Sequence, residues 1–356
     1  MTGDKSILTA TEMPALVWLG PEDMQMRVVP LPEPAPGEVL IETSAIGICG
    51  SELSGYLGQN SLRRPPLIMG HEAAGRIVQT NGQITFADGT TGQVGMRVCF
   101  NPLVVCGVCD RCLAGFTNLC RQRQLVGAHR PGAFASYVAV PAIQCWSVPE
   151  NLSDAAASLT EPLACAVRAV TLTSISPGGS LLILGAGPIG LFCLAYARSL
   201  GVTEIVVSDM LPARLEIARQ WGASAVVNAR TDNVVQRVHQ LYPGGVATVI
   251  DAVGATPTRA QALQAVVPGG RVVFIGLHDE EGPLAINYLI RQEVSIVGSF
   301  AYTRQDFSLA VAMLRAGKLQ PEANWLEERP LTEGAAAFSE LVKGTARATK
   351  IVLRTQ

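Results

Sequence analysis

The chain has 356 residues, of which 48% are hydrophobic and 16% charged, and its formal net charge is −2. This composition predicts a large folded core and excludes extended disorder, and the length predicts two domains. The longest basic run is Arg63-Arg64, so the basic stripe typical of a duplex-binding protein is not expected.

The first residues and the cysteines indicate where the protein works. The segment MTGDKSILTATEMP contains no apolar stretch typical of a secretory signal. The nine cysteines are an odd number and lie mostly in apolar surroundings, which argues against a disulfide framework. We therefore expect a cytoplasmic protein, in which clustered cysteines more often bind metal than form disulfides.

The first part of the chain is predicted to be rich in β-structure. Roughly 160 residues contain short strand-like runs and many glycines and prolines, without helix-length periodicity. The runs are ALVWLG, EVLIETSAIGICG, AAGRIVQT, GMRVCFNP and FASYVAVP.

Within this part, the segment CGVCDRCLAGFTNLC from Cys106 to Cys120 has the spacing C-x2-C-x2-C-x7-C. A zinc finger that binds nucleic acid, a disulfide knot, an iron–sulfur site and a structural zinc site are the alternatives. The charge disfavours the first and the odd cysteine count the second. Cysteine count alone leaves zinc and iron–sulfur open.

The second part of the chain alternates between strand and helix patterns. SLLILG precedes a helical run to Leu200, and EIVVSD precedes PARLEIARQWGA. VVNA, a helix near 232–241, ATVIDAVG, a helix near 257–267, RVVFIGL and the strand VSIVGSF follow. This order predicts an α/β fold with a doubly wound parallel sheet. The tail, with helices in DFSLAVAMLRAG and EGAAAFSELVKG and the strand KIVLRT, is expected to return to the first domain.

Residues 180–200 are almost wholly apolar and about long enough to cross a bilayer. Glycines and a proline cluster inside this segment, however, so a strand, a tight turn and a buried helix are the better interpretation. The cluster reads Gly185, Ala186, Gly187, Pro188, Ile189 and Gly190, which matches the dinucleotide-binding pattern G-x-G-x-x-G.

The spacing of an acid after this motif predicts the coenzyme. Asp209 ends the next predicted strand, where a carboxylate accepts hydrogen bonds from ribose hydroxyls and repels a 2′-phosphate. Arg214 is the only cation in the following residues. The sequence therefore predicts that NAD is bound in preference to NADP.

A second group of residues suggests metal chemistry. Cys49, His71, Glu72 and Glu161 are scattered singly along the first part of the chain. Thiolate, imidazole and carboxylate are the ligands of catalytic zinc, which keeps one position open. An alcohol gives up hydride readily only as an alkoxide, so a Lewis acid beside a nicotinamide-binding domain is a coherent combination.

GHEAAGRIV, the four-cysteine segment and LGAGPIG, in this order and separation, resemble the zinc-dependent medium-chain alcohol and polyol dehydrogenases, in particular their sorbitol-dehydrogenase-like branch. The resemblance covers essentially the whole chain. It implies a GroES-like catalytic domain (1–165, completed by 301–356), a Rossmann NAD-binding domain (166–300) and an active site in the cleft between them. It also implies two zinc ions per chain, oxidation of a secondary alcohol to a ketone with NAD, and a homodimer or homotetramer paired through VSIVGSF.

The same resemblance assigns roles to individual residues. It makes Cys49 and His71 ligands of the catalytic zinc, and Glu72 or Glu161 the acid that ligates with them. Ser51 matches the residue that hydrogen-bonds the substrate oxygen, and Glu52 matches an acid that supports a ligand. A histidine of the proton relay is replaced by Ser54. The structural zinc is expected on Cys106, Cys109, Cys112 and Cys120.

The substrate is expected to contact the loop formed by residues 53–69. Tyr56, Gln59 and Asn60 offer hydrogen bonds to several hydroxyls, which suits a polyol, a sugar alcohol or a diol. Arg63 and Arg64 raise the alternative of a phosphorylated polyol, as in galactitol-1-phosphate dehydrogenases, although a solvated pair is the simpler interpretation. A zinc-free relative of quinone-reductase type and a nucleic-acid-binding zinc-finger module are the less favoured alternatives.

Overall fold

The computed structural model describes residues 10–317 and 325–355. The chain divides into two compact units. Unit 1 comprises Met1–Glu161 and Thr303–Gln356, and unit 2 comprises Pro162–Tyr302. The functional domain boundaries expected from the sequence, 1–165 with 301–356 and 166–300, stay a prediction.

Both units contain β-strands. They are β1 (Glu12–Gly20), β2 (Asp23–Pro30), β3 (Glu38–Gly47), β4 (Leu67–Ile68), β5 (Glu72–Thr80), β6 (Arg97–Phe100), β7 (Leu103–Val104), β8 (Gln124–Leu125), β9 (Tyr137–Pro141), β10 (Cys145–Ser147), β11 (Ser180–Leu184), β12 (Glu204–Asp209), β13 (Ala225–Asn228), β14 (Val246–Asp251), β15 (Val266–Phe274), β16 (Ser295–Gly298), β17 (Leu326–Pro330) and β18 (Lys350–Arg354).

The first three α-helices of the chain have seven, four and five residues, and most of the later ones are longer. They are α1 (Gly50–Tyr56), α2 (Asp110–Leu113), α3 (Asp154–Ser158), α4 (Thr160–Thr173), α5 (Pro188–Ser199), α6 (Pro212–Gln220), α7 (Val234–Leu241), α8 (Thr256–Ala265), α9 (Ile286–Gln292), α10 (Arg304–Arg315) and α11 (Gly334–Lys343).

Unit 1 is built on a seven-stranded sheet in which β3 is central. The strand β3 pairs antiparallel with β5, with β9 and with β18. The strand β18 comes from the far end of the chain and lies between β3 and β17, so the tail completes this sheet. Buried aromatic and aliphatic side chains fill its core, including Trp18, Phe100, Phe134 and Phe338.

Unit 2 contains a six-stranded parallel sheet in the order β13-β12-β11-β14-β15-β16. Its first strand lies beside its fourth, which is the doubly wound order that creates a switch point where β11 meets β14. The buried core of this sheet is apolar and includes Leu182, Val206, Val249 and Val272. The predicted doubly wound α/β fold is confirmed.

The apolar segment 180–200 forms β11, a turn and helix α5, as predicted. Within residues 10–317 and 325–355, no helix has both the length and the apolarity needed to cross a membrane.

Helix α1 is not apparent in the sequence of the first part. Its seven residues, GSELSGY, are too short for a periodic pattern and include two glycines and two serines. The helix begins because the Glu52 side chain accepts a hydrogen bond from the backbone N–H of Cys49, at 3.0 Å. This cap places Ser51 and Glu52 in the first turn.

Candidate active site

Three of the predicted metal ligands lie together in unit 1. Cys49 follows β3 and precedes α1, and Glu72 begins β5 directly after His71. Antiparallel pairing of β3 with β5 places Gly47 opposite Glu72, so the end of β3 that precedes Cys49 lies beside the start of β5 that follows His71. The ligand atoms of Cys49, His71 and Glu72 lie within 4.8 Å of one another. The sequence prediction that these residues form one cluster is consistent with this geometry.

Glu52 orients this cluster through hydrogen bonds. It is fully buried, its Oε1 lies 2.7 Å from His71 Nδ1, and the same oxygen accepts the Gly70 N–H at 2.8 Å. Burial alone would raise the pKa of Glu52, but the His71 and Arg63 charges and the Cys49 N–H lower it below its ordinary value. The carboxylate therefore stays ionised and leaves His71 Nε2 as the nitrogen available to a metal.

The electrostatics of His71 fit a cation at this place. Burial lowers the pKa of the imidazole, but the neighbouring Glu52 carboxylate and Cys49 sulfur more than offset this and raise it well above its ordinary value. A ring beside the Glu52 carboxylate stabilises positive charge on its free nitrogen. A metal ion supplies that charge without the proton, and Cys, His and carboxylate are suitable zinc ligands.

The Glu72 carboxylate forms an ion pair with a buried lysine that was not predicted from the sequence. Lys350, at the start of β18, forms an ion pair with Glu72 Oε2 and donates a 2.8 Å hydrogen bond to the Ile48 carbonyl. Burial lowers the pKa of Lys350, yet the Glu72 charge raises it above its ordinary value, so the ammonium is retained. The other oxygen of Glu72 is left for a metal.

A glycine makes room for this pair. A Cβ atom on Gly47 would overlap Glu72 Oε2 and would lie 3.0 Å from Lys350 Cε. Gly47 is also opposite Val352 of β18, so the same residue spaces both strands that bring the two charges together. The only sequence signal for Lys350 is a single cation at the start of the apolar run KIVLRT.

Glu161 is buried in the first turn of α4. Among the described residues, the ligand set within 4.8 Å consists of Cys49, His71 and Glu72 and does not include it. Its role as an alternative ligand stays a prediction.

The hydroxyl of Ser51 lies 3.4 Å from Cys49 Sγ, beside the ligand cluster. Ser54 does not extend this contact, because its hydroxyl donates to the Ser51 backbone carbonyl at 3.0 Å. The structure thus brings Ser51 to the site as predicted, without a side-chain connection from Ser51 to Ser54.

The five candidate substrate contacts have different environments. Tyr56 is a core residue, since its ring packs 5.5 Å from that of Phe338 and its hydroxyl donates to the Glu22 carbonyl at 3.0 Å. Asn60 Oδ1 accepts the Leu62 N–H at 3.0 Å, which folds the loop. Gln59 and Arg64 are exposed, whereas Arg63 is buried. The solvated pair expected as the simpler interpretation is therefore wrong for Arg63.

The four cysteines of the segment from Cys106 to Cys120 form a second cluster, with all four sulfurs within 4.8 Å of one another. A Zn–S bond of about 2.3 Å places the sulfurs of a tetrahedral site roughly 3.8 Å apart, so the cluster fits zinc. Cys106 Sγ and Cys120 Sγ are separated by 3.5 Å. Four sulfurs fill the coordination of such an ion, which gives it a structural role.

Backbone amides and an ion pair shape this lobe. The N–H groups of Cys106 and Gln122 point at Cys120 Sγ, each at 3.4 Å. Backbone hydrogen bonds from Arg121 and Cys112 lower the pKa of Cys109 to about 6, which favours the thiolate that a metal needs. The Arg121 guanidinium also bridges both carboxylate oxygens of Asp110, at 2.7 and 3.0 Å.

The glycine turn of unit 2 has the shape that a dinucleotide requires. Gly185 has φ of +98°, which favours glycine, and a Cβ on Gly190 would overlap the Gly185 carbonyl oxygen. A Cβ on Gly187 would meet no protein atom within 4 Å, so that side of the turn is open to a ligand. Helix α5 begins here with Pro188 at its first position, followed by Ile189, and its N-terminus favours phosphate.

Asp209 lies at the end of β12, beside this turn. Its Oδ2 accepts the Ala186 N–H at 2.8 Å and its Oδ1 accepts the Leu211 N–H at 2.9 Å. Arg214 Nη1 lies 3.8 Å from the same carboxylate. Asp209 is thus hydrogen-bonded to the glycine motif, and both belong to the predicted dinucleotide site.

Two family profiles match the chain. Residues 35–150 match the alcohol dehydrogenase GroES-like domain, and residues 188–316 match the family described as zinc-binding dehydrogenase. The chain belongs to the zinc-dependent medium-chain dehydrogenase family. The chain is thus an oxidoreductase of the alcohol dehydrogenase type, as the sequence predicted.

Among curated relatives, the protein named Probable D-xylulose reductase A of Aspergillus fumigatus is 31% identical over 98% of both chains. The L-threonine 3-dehydrogenase of Pyrococcus horikoshii is 38% identical over 74% of this chain and 75% of its own. Family members that act on small alcohols or polyols are therefore similar to this chain over most of its length.

Solved structures show the same architecture. A zinc-binding dehydrogenase from Sinorhizobium meliloti bound to NADP has a TM-score of 0.87 and 29% identity, covering 97% of this chain and 100% of the other. An E. coli alcohol dehydrogenase complexed with NADH has a TM-score of 0.88 and 27% identity, with the same coverage. The medium-chain fold, with a GroES-like domain and a Rossmann sheet, is confirmed.

Proposed function

We propose that this protein oxidises a secondary alcohol group of a polyol, sugar alcohol or diol to a ketone, with hydride transfer to NAD and two zinc ions per chain. The cluster of Cys49, His71 and Glu72 beside the Ser51 hydroxyl carries this proposal. It combines the ligand types of catalytic zinc with a hydroxyl next to them, in a chain whose second unit has a dinucleotide turn.

The residues of the cluster have separate tasks. Cys49, His71 and an acid, Glu72 or Glu161, would hold a zinc ion, which would act as a Lewis acid and lower the pKa of an alcohol. Glu52 orients the His71 ring, and Lys350 balances the charge of Glu72. Ser51 offers its hydroxyl as a hydrogen-bond donor to the substrate oxygen.

NAD is the proposed coenzyme because Asp209 is ionisable, lies beside the glycine turn and repels a 2′-phosphate. Arg214 is already directed at Asp209, at 3.8 Å, which leaves less positive charge for a phosphate. The motif Gly185–Gly190, with Pro188 and Ile189 in the helix start, supports the pyrophosphate.

The unphosphorylated polyol or diol is preferred over a phosphorylated substrate. Arg63 is buried and hydrogen-bonded to Ser51, so the pair Arg63-Arg64 does not present two solvent-facing guanidinium groups. Gln59 and Asn60 remain the proposed contacts with substrate hydroxyls. The similar D-xylulose reductase also supports the polyol class.

We also propose a homodimer or homotetramer that works in the cytoplasm. The strand β16 is at the edge of its sheet, where a second copy can pair. Exposed apolar side chains lie close by in sequence, namely Leu277, Ile286, Tyr288, Ile290 and Phe300. The four-cysteine cluster and Cys49 require reduced cysteines to bind metal, which the cytoplasm maintains.

The test is formation of NADH or NADPH from free polyols, vicinal diols, simple secondary alcohols, L-threonine and 1-phosphorylated polyols. We expect the highest kcat/KM for a free polyol or diol with NAD. The variant His71→Ala should lose turnover while its NADH binding, followed by nicotinamide fluorescence, is retained. Turnover by His71→Ala would refute the zinc mechanism, and a preference for phosphorylated substrates would refute the substrate class.

A further inference from the structure

Arg63 is a buried cation to which the proposed reaction assigns no role. It is only 4% exposed, although it belongs to a loop whose neighbour Arg64 is open to solvent. Its Nη1 donates to the Ser51 carbonyl at 3.0 Å, and its Nη2 donates to Ser51 Oγ at 3.4 Å. Burying a guanidinium is costly unless it is well paired, so this placement calls for a reason.

The surrounding chain is shaped to admit this side chain. The Asn60 carbonyl accepts the Arg63 N–H at 3.2 Å, which turns the loop back over α1. A Cβ on Gly55 would lie 2.6 Å from Arg63 Cδ and 3.4 Å from Met69 Sδ. Glycine is a poor residue for a helix interior, yet here it leaves the groove through which the arginine reaches Ser51.

The contact fixes the direction in which Ser51 donates. A guanidinium only donates hydrogen bonds and cannot be deprotonated in a protein. Ser51 Oγ therefore accepts from Arg63, and its own proton must point elsewhere. The other partner of this hydroxyl is Cys49 Sγ, at 3.4 Å, so the proton is directed at the metal-ligand cluster.

The same guanidinium also has a donor that the fold does not use. Arg63 Nε is buried and has no hydrogen-bond partner among the residues that the structure describes. Arg63 thus directs its two terminal nitrogens at Ser51, the residue proposed to meet the substrate oxygen.

We propose that Arg63 is a positioning residue of the alcohol site, which holds the Ser51 hydroxyl so that it donates toward the metal-bound side where the substrate oxygen is expected. This inference rests on the proposed function, because it assigns Ser51 to an alcohol. It implies that Arg63 acts on turnover more than on affinity, and that it is not a phosphate-binding residue.

The test uses the zinc-loaded full chain, with Arg63→Ala and, as a matched control, Arg27→Ala at an exposed position of β2. With the best alcohol of the wild-type panel, kcat of Arg63→Ala should fall roughly 10- to 100-fold, as for loss of a charged hydrogen bond. The KM for the alcohol should change less than about threefold. Guanidinium ion in the assay should restore part of the lost kcat of Arg63→Ala and leave Arg27→Ala unchanged.

A second variant displaces the arginine without removing it. Gly55→Ala should lower kcat in the same direction but by a smaller factor, because the new methyl group pushes Arg63 away from Ser51. The Tm of Gly55→Ala, measured alongside, separates a fall caused by the displaced arginine from one caused by lost stability. Zinc content and NADH affinity, measured on each variant, should match the wild type.

Three results would overturn the proposal. They are an unchanged kcat in Arg63→Ala, a defect confined to the KM of phosphorylated substrates, and a loss of zinc or folding in Arg63→Ala together with full activity in Gly55→Ala. The proposed function is judged separately, on the wild-type substrate and coenzyme panel. If the wild type prefers another alcohol or NADP, that function fails, while the kcat ratios of the variants still decide the role of Arg63.

Discussion

Replacing Lys350 by methionine tests whether the ion pair with Glu72 is needed for the fold of unit 1. Lys350 and Glu72 are 2% and 1% exposed, so the substitution leaves a buried carboxylate without its lysine. Removal of one partner of a buried pair costs about 3–5 kcal/mol. For a unit of about 200 residues, each kcal/mol corresponds to roughly 2–4 °C, so we expect Tm to fall by roughly 6–20 °C.

The assay is thermal unfolding of the zinc-loaded protein, followed by calorimetry. Lys343→Met, at an exposed position of α11, is the matched control and should unfold within about 2 °C of the wild type. The double variant Lys350→Met/Glu72→Gln should recover most of the lost stability, because it removes both charges. Recovery of stability without recovery of activity would separate the structural pairing from the role of Glu72 as a ligand.

An unchanged Tm for Lys350→Met would refute this reasoning, since it would show that another charge neutralises Glu72. A double variant no more stable than the single one would also refute it. In that case the loss would come from the packing of the lysine side chain against Gly47 rather than from its charge.

Three other variants test separate parts of the molecule. Cys112→Ser should lower bound zinc from about two ions per chain to one and should lower Tm, because a four-sulfur site loses a ligand. Cys193→Ser is the control and should keep both ions, as metal analysis can show. Asp209→Asn should raise the KM for NAD about tenfold and improve use of NADP, because it removes the charge that repels a 2′-phosphate; an unchanged ratio of kcat/KM for the two coenzymes would contradict it. Ile290→Asp, at a side chain that is 68% exposed, should lower the mass measured by light scattering if this surface joins two copies, while Val28→Asp, on the exposed side of β2, should not.

The sequence predicted best those features that depend on neighbouring residues. The glycine turn and the four-cysteine segment each contain their whole pattern within a few residues, and both have the expected geometry. Strands of unit 2 such as β11 were predictable because parallel strands buried on both faces are continuous apolar runs. Helix α1 was missed because seven residues with two glycines carry no periodic signal.

The electrostatic environment of the site could not be predicted in the same way. Lys350 reaches Glu72 only because β18 pairs with β3, and no local pattern near either residue specifies that pairing. The adjacent arginines Arg63 and Arg64 suggest a solvent-exposed pair in the sequence. The groove over Gly55, however, lets Arg63 be buried while Arg64 stays exposed. Tyr56, selected as a hydroxyl contact, forms part of the core because Phe338 of α11 packs against it.

The ion pair between Glu72 and Lys350 also sets the order in which this protein can mature. The two residues are separated by 278 positions in the chain. During synthesis the Cys49, His71 and Glu72 segments leave the ribosome long before β18, so Glu72 cannot form this ion pair until β18 has been made. Such a long-range pairing is slow to form, because the entropy of closing the long intervening loop opposes it. The candidate metal-ligand cluster is thus among the first parts of the chain to be made and among the last to gain all of its neighbours.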